Sequence, residues 1–338
     1  MKALVYREVG GPISLEDLMN PACPAEGAVI EVRATGVCRS DWHAWRGHDP
    51  VTLPHVPGHE FAGVVVESGV PGFAAGDRVT APFVNGCGRC AYCRSGNAQI
   101  CPDQTQPGFT HHGSFAERVV VRAAATNLVK VPDEIGFVEA AALGCRFATA
   151  FRALRGVRPD DTVAVFGCGG VGLSVVMIAV ALGARVVAVD PSPVALAAAV
   201  DLGAVADTPG DVDVTVDAYG SAATAMAAVR SLRRGGRHVQ VGLMLGADAA
   251  APLPWDLVVA RELEIVGSHG MAAVDYPPML DLVASGRLDL RRLIHAVIPL
   301  DEAGAALMAM DDPIARAGGI VVAANEYAGE RVGPDDAV

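Results

Sequence analysis

Three features of the chain predict an α/β fold made of two units. The first third is punctuated by glycine and proline and carries short alternating apolar runs. From about residue 150 strand-like and helix-like runs take turns. A last apolar run closes the chain ahead of a polar tail. The N-terminus enters a strand-like run at once, Met1-Lys2-Ala3-Leu4-Val5-Tyr6. Val29-Ile30-Glu31-Val32-Arg33 and Phe61 to Glu67 then read as strands between frequent turns. Val163–Phe166 predicts a short buried strand, 171–182 a helix and 185–190 a strand. A helix at 194–202, a strand at 212–217, a helix at 222–232 and a strand at 238–241 follow. Strand and helix in alternation imply a parallel sheet covered on both faces. Residues 319–324 predict the final strand, and the tail beyond is expected to fray. No internal repeat and no low-complexity linker interrupts the chain.

With 338 residues, 51% of them apolar and 19% charged, the chain is long enough for about two domains and too apolar for disorder. Lys and Arg number 26 against 38 Asp and Glu, a net charge of −12. That balance, with no Lys/Arg cluster, excludes a nucleic-acid partner, because counterion release needs a basic patch. The N-terminus lacks the apolar core of an export signal, so a cytoplasmic, reducing location is expected. There, eight cysteines read as metal ligands before disulfides. Val163 to Ala184 is uncharged and long enough to span a bilayer. Glycines 167, 169, 170, 172 and 183 interrupt it, and no membrane partner is expected.

Cys87, Cys90, Cys93 and Cys101 form C-x2-C-x2-C-x7-C in one short, glycine-bearing loop. Four thiolates from such a loop can close a tetrahedron around Zn²⁺ and leave no position for substrate, which makes the site structural. Free thiols at this density would be oxidation-prone, and the spacing differs from common iron–sulfur patterns; these are the alternatives. A second constellation is scattered. Cys38 opens Cys38-Arg39-Ser40-Asp41-Trp42-His43, His59 stands in Gly58-His59-Glu60, and Cys145 in Gly144-Cys145-Arg146-Phe147. Singly, a buried cysteine is often an inert small hydrophobe and a histidine a surface or core residue. Together, Cys38, His59 and Cys145 would give a Cys₂His shell with one open position, a catalytic arrangement.

Gly167-Cys168-Gly169-Gly170-Val171-Gly172 matches G-x-G-x-x-G between a strand and a helix, and Asp190 ends the next strand, 18 residues after Gly172. The glycines let backbone approach a pyrophosphate, which the helix N-terminus stabilises. Asp190 can bind both ribose hydroxyls and would repel a 2′-phosphate, and Pro191-Ser192-Pro193 supplies no Arg for one; NAD is expected over NADP. The alternative for Asp190 is a helix cap.

These residues together resemble the zinc-dependent alcohol dehydrogenases of the medium-chain dehydrogenase/reductase superfamily. The resemblance runs from Met1-Lys2-Ala3-Leu4 through Gly58-His59-Glu60-Phe61-Ala62-Gly63, Gly76-Asp77-Arg78-Val79 and Gly113-Ser114-Phe115-Ala116-Glu117 to the glycine loop. It implies a GroES-like β-barrel catalytic domain over 1–148, with 290–338 returning to it, and a Rossmann-fold dinucleotide-binding domain over 149–289. It implies two zinc ions per chain: a catalytic one on Cys38, His59 and Cys145, and a structural one on the four-cysteine lobe. Glu60 is placed like an acidic neighbour behind the metal that can transiently coordinate it. Asp41 is placed to orient His59, Ser40 beside the alcohol, and His43 at the outer end of a proton relay. Arg39 is placed to pair with the pyrophosphate and Val171 to pack behind the nicotinamide. The bland alternatives are a solvated charge for Arg39, a turn hydroxyl for Ser40 and an exposed loop residue for His43.

The implied activity is reversible hydride transfer between NAD and an alcohol, primary or secondary, giving an aldehyde or ketone. A homo-oligomer, tetramer before dimer, is implied as well. Trp42, Trp45, Phe83, Phe109, Leu243 and Met271 fall on segments that line the family's cleft, or are ordinary core; an apolar pocket would suit aliphatic or aromatic alcohols. His111 and His112 read as surface loop, and Cys23 and Cys168 as incidental. Two departures stand out: Val194 and Ala195 occupy positions where many members have a Lys, and the last strand, 319–324, carries no Arg where members often have one. A polyol or sugar dehydrogenase of the same superfamily is the rival reading, argued against by Cys145 and kept open by Glu60. A non-catalytic zinc and NAD sensor is the other, and would have no use for Ser40, Asp41 and His43.

Overall fold

The structure, a computed structural model, describes residues 1–311 and 320–324. The start of the expected last strand at Gly319 and the polar tail lie outside the described residues.

The chain opens with an antiparallel pair, β1 (Lys2–Val5) and β2 (Ser14–Asp17). Next come β3 (Ala28–Val37), β4 (Glu60–Ser68), β5 (Arg78–Thr80), β6 (Arg118–Val121) and β7 (Val129–Lys130). The second unit holds β8 (Thr162–Phe166), β9 (Arg185–Val189), β10 (Val205–Ala206), β11 (Val212–Asp217), β12 (Leu232–Gln240) and β13 (Glu264–Gly267). Then β14 (Ile294–Pro299) and β15 (Ile320–Ala324) rejoin the first sheet. That sheet runs β14-β15-β3-β4-β5-β7, with β6 also on β3, and β15 lies antiparallel to β3 with Val321 opposite Val37.

The second sheet is parallel throughout, in the order β10-β9-β8-β11-β12-β13. From β8 the chain steps outward to β9 and β10, then returns to the other side of β8. The loop after β8 therefore sits at a topological switch point, where open α/β sheets bind ligands. Helices Gly170–Ala181, Pro193–Asp201 and Ala222–Arg230 cover the sheet. Pro193 starts its helix behind the Ser192 cap, the position where a missing N–H does no harm.

Two expectations need adjustment. The helix expected over 222–232 stops at Arg230, and β12 begins at Leu232, well ahead of His238. Leu232 is fully buried under the sheet, and the register between β11 and β12 breaks after Val212 to let it in. The uncharged run at 163–184 is a strand followed by a helix buried from Gly172 to Ala179, which is why that helix is apolar all round. No helix among the described residues is long and apolar enough to cross a membrane.

The largest core cluster does not respect the boundary between the units. It joins Val163, Val165 and Val216 of the parallel sheet to Leu143, Phe147 and Ala150, and reaches Ala34 and Ala62 of β3 and β4. The segment 137–153 thus wedges the two sheets together, and it carries Cys145.

Candidate active site

β3 and β4 are antiparallel with Gly36 opposite Glu60. Cys38 leaves the end of β3 and His59 enters the start of β4, so the register alone brings them to the same end of the pair. Cys145 arrives separately, on a π-helical turn, Leu143–Phe147, between helices Phe137–Ala141 and Ala148–Ala153. Such turns widen the helix locally and often mark functional positions. Ligating atoms of Cys38, His59, Cys145 and Glu60 all lie within 4.8 Å of one another, and all four residues are buried.

Asp41, in the first turn of helix Arg39–Trp45, explains the orientation of His59. Its Oδ1 accepts the Gly58 N–H at 2.8 Å and lies 2.9 Å from His59 Nδ1. With Nδ1 so engaged, His59 Nε2 is left buried without a hydrogen-bond partner. An orphaned imidazole nitrogen beside two cysteine sulfurs is the donor set that zinc takes, and the residues fit that metal. The hydrogen bond with Cys145 holds the Cys38 thiol well below its ordinary range against the opposing effect of burial, with Arg146 and His59 helping. Cys145 is raised by the same hydrogen bond and by burial.

Glu60 has a partner of its own. Arg146 donates from Nε to Oε1 at 3.0 Å, from its backbone N–H to Oε1 at 3.1 Å, and from Nη2 to Oε2. Burial raises the Glu60 carboxyl, and Arg146 pulls it back down. Thr35 Oγ1 fixes the backbone by donating to the Glu60 carbonyl at 2.9 Å.

In the lobe, Cys90 Sγ lies 3.5 Å from Cys93 Sγ and 3.7 Å from Cys101 Sγ, and all four sulfurs fall within 4.8 Å. Sulfurs about 2.3 Å from a shared zinc stand about 3.8 Å apart, whereas a disulfide brings them to about 2.05 Å. None of the eight cysteines is bridged. Cys90 Sγ also accepts the Cys93 N–H at 3.4 Å and Cys101 Sγ the Cys87 N–H at 3.3 Å, fixing the two sulfurs in place.

In the glycine loop, Gly167 takes φ +91°, and a Cβ there would press on Tyr219 at 2.8 Å. A Cβ at Gly172 would strike the Gly167 carbonyl, so the strand-to-helix turn closes only with glycine at both. Asp190 Oδ2 accepts the Cys168 N–H at 2.7 Å and Oδ1 the Ser192 N–H at 2.8 Å. The acid at the end of β9 is thereby clamped against the loop, half-exposed beside it.

Comparison with known proteins agrees with this construction. Residues 24–133 match a family model described as alcohol dehydrogenase GroES-like domain, and residues 170–285 one described as zinc-binding dehydrogenase. An alcohol dehydrogenase of Geobacillus stearothermophilus is 35% identical over 322 residues, 89% of this chain and 93% of that one. The chain belongs to the zinc-dependent alcohol dehydrogenase family of the medium-chain superfamily. A solved alcohol dehydrogenase, TADH from Thermus sp. ATN1, superposes with a TM-score of 0.88 at 30% identity, covering 96% of this chain and 99% of that one. A sorbitol dehydrogenase of Halalkalibacterium halodurans is 30% identical over 317 residues, 87% of this chain and 91% of that one. The enzyme is an oxidoreductase with GroES-like and Rossmann-type domains.

Around the buried cluster of this dehydrogenase, Phe83 packs with Cys38, Val84 and Cys145. The Phe83 ring centroid is 5.8 Å from that of His59, and Phe109 stands 5.2 Å from His59. Two other expected cleft residues lie in the core. Trp45 is core and donates Nε1–H to Gly11 O at 2.7 Å, and Met271 is core beside the parallel sheet. Leu243 is exposed. Trp42 donates to Asp311 at 2.8 Å, with the Arg39 guanidinium 3.7 Å from its ring centroid and bonded to Met310 O at 2.8 Å. Ser40 Oγ is 3.9 Å from Cys38 Sγ, and His43 Nδ1 is 3.0 Å from His48 Nδ1. Val171 is half-buried in the first turn of the loop helix. His111 is a largely buried loop residue outside both cysteine clusters, its ring held 3.1 Å from Val120 O.

Two residues went unmarked in the sequence. Arg146 was visible only as the neighbour of Cys145, and nothing local marked it as the partner of Glu60. His269 packs edge-on to Phe83 with centroids 5.0 Å apart. Its position just past β13, at the carboxyl edge of the parallel sheet, was the available signal.

Proposed function

We propose that the enzyme oxidises an alcohol, primary or secondary and aliphatic or aromatic, to an aldehyde or ketone with NAD, and catalyses the reverse reduction. The observation that carries this reading is His59: Asp41 holds Nδ1, and Nε2 is buried without a partner among the sulfurs of Cys38 and Cys145. Cys38, His59 and Cys145 would hold a catalytic zinc, and Cys87, Cys90, Cys93 and Cys101 a structural one. Bound there, zinc supplies Lewis-acid polarisation of a substrate oxygen, and the dinucleotide supplies the hydride acceptor.

The chain's own residues do the rest. Asp41 keeps His59 in the tautomer that presents Nε2. Ser40, next to Cys38, receives the hydroxyl proton, and His43 passes it outward, imidazole being suited to that relay. Phe83 and Phe109 exclude water over the cluster and favour an apolar alcohol. The glycine loop and its helix N-terminus receive the pyrophosphate. Asp190, clamped by two backbone N–H groups, meets the ribose hydroxyls and repels a 2′-phosphate.

A polyol substrate is the second reading, favoured by Glu60 lying within the cluster. Against it, Arg146 engages both Glu60 oxygens, which leaves the carboxylate poorly free to ligate. The test pairs zinc analysis with NAD⁺-dependent turnover of primary, secondary, aromatic and polyol alcohols. Wild type should carry two zinc per chain, one for each cluster. Cys38→Ser should stay folded, lose one zinc and lose turnover. Wild-type rates in the variant refute the site.

A further inference from the structure

Arg146 does more than neutralise Glu60. Its side chain is 8% exposed, and three of its N–H groups are spent on the Glu60 carboxylate. Nη1 has no hydrogen-bond partner among the described residues and lies on the side of the glycine loop. A Cβ on Gly170 would stand 2.7 Å from Arg146 Cδ and 3.4 Å from Nη1. On the opposite side, a Cβ on Gly36 would strike the Glu60 carboxylate. The ion pair is thus set in a slot between two glycines, one on β3 and one opening the helix Gly170–Ala181. The first N–H groups of that helix lack intrahelical partners, and its dipole favours an anion. A guanidinium N–H beside them completes an anion-binding corner. The chain offers Val194 and Ala195 after Asp190, and the Arg39 guanidinium stacks on Trp42 and donates to Met310 O. Among the described residues, Arg146 brings a guanidinium to this loop.

We propose that Arg146 is a shared positioning residue: one edge of its guanidinium holds Glu60 beside the cysteine–histidine cluster, and Nη1 meets the pyrophosphate of the dinucleotide. This rests on the dinucleotide reading above. Because one rigid group serves both, a phosphate on Nη1 and the orientation of Glu60 are coupled, and the coupling is reciprocal.

The test measures ADP-ribose and adenosine binding to the zinc-loaded protein by competition titration. The variants are Glu60→Gln and the pair Glu60→Gln/Arg146→Met, which leaves no uncompensated buried charge. Glu60→Gln keeps the guanidinium and sets the reference affinity for ADP-ribose. The pair should bind it about tenfold more weakly, the share of one charge-assisted hydrogen bond, with adenosine unchanged. ADP-ribose affinity in the pair equal to that of Glu60→Gln overturns the proposal, as does parallel loss of both ligands, which a loosened loop would cause. Should the pair fail to fold, Arg146→Lys decides: a loss of threefold or more for ADP-ribose alone supports the proposal, and wild-type affinity overturns it. If wild type binds neither probe, the dinucleotide reading fails and takes this inference with it. If wild type binds, the variants test Arg146 alone.

Discussion

Asp41→Asn changes one atom and one charge at a fully buried position. Asp41 is fully buried, and its Oδ1 serves both Gly58 N–H and His59 Nδ1–H at 2.8 and 2.9 Å. Asn keeps a carbonyl oxygen for those two donors, so the local fold should survive. What it loses is the charge facing the imidazole. A hydrogen bond to a charged group contributes ~1.5–3 kcal/mol, and a neutral one ~0.5–1.5. The new amide also replaces Oδ2, which is buried and has no partner, at a further ~1–3 kcal/mol. The first difference falls on the basicity and aim of His59 Nε2. Zinc affinity at that cluster should therefore drop ~10–100-fold. Competition with a chromogenic chelator reads this directly, and the four-cysteine lobe is an internal control. One zinc equivalent should become labile while the other holds. If both equivalents resist the chelator as in wild type, Asp41 only anchors Gly58, and the argument from the orphaned Nε2 is wrong.

Three further outcomes follow from the same geometry. Cys93→Ser should remove one zinc and lower thermal stability while the Cys38 cluster keeps its metal; unchanged zinc content would count against the lobe. Asp190→Ser removes the carboxylate that faces the ribose, so the NAD-to-NADP preference in dinucleotide titrations should fall about tenfold or more; an unchanged ratio assigns Asp190 to capping alone. Burial holds the His111 imidazole down at about 4, below its ordinary ~6.5. Between those values the unfolded chain takes a proton that the folded one refuses, so stability falls as pH drops from about 6.5 to about 4, by at most ~3 kcal/mol. His111→Gln should flatten that slope in pH-dependent denaturation, and an unaltered profile would exclude His111 as its source.

The residues of the two cysteine clusters were not equally legible. The lobe lies within fifteen positions, Cys87 to Cys101, and a short loop has few ways to arrange four thiols other than around a metal. Cys38 and His59 were also within reach, since hairpin-like pairing of β3 with β4 brings their ends together. Cys145 was a candidate only as part of a scattered constellation, with no spacing that ties it to the other two. Its segment carried no pattern that announces a π turn, and the helix on either side went unread. The aromatic residues divided for a similar reason. Phe83 and Trp45 look alike as sequence, yet one roofs the cluster and the other fills the core beneath Gly11.

What the chain by itself determined is whatever is carried by local pattern: the alternation that builds a parallel sheet, the glycine turn after β8 and the four-thiol loop. These depend on neighbours a few positions apart, whose geometry the backbone imposes. Tertiary structure alone decided what depends on distance. Glu60 and Arg146 are 86 positions apart, and they meet because β4 and the π turn are wedged together by a core shared between both sheets. No residue type demands that pairing in advance. A buried carboxylate needs some cation, and only the packed fold says that this one is the arginine resting against the glycine loop.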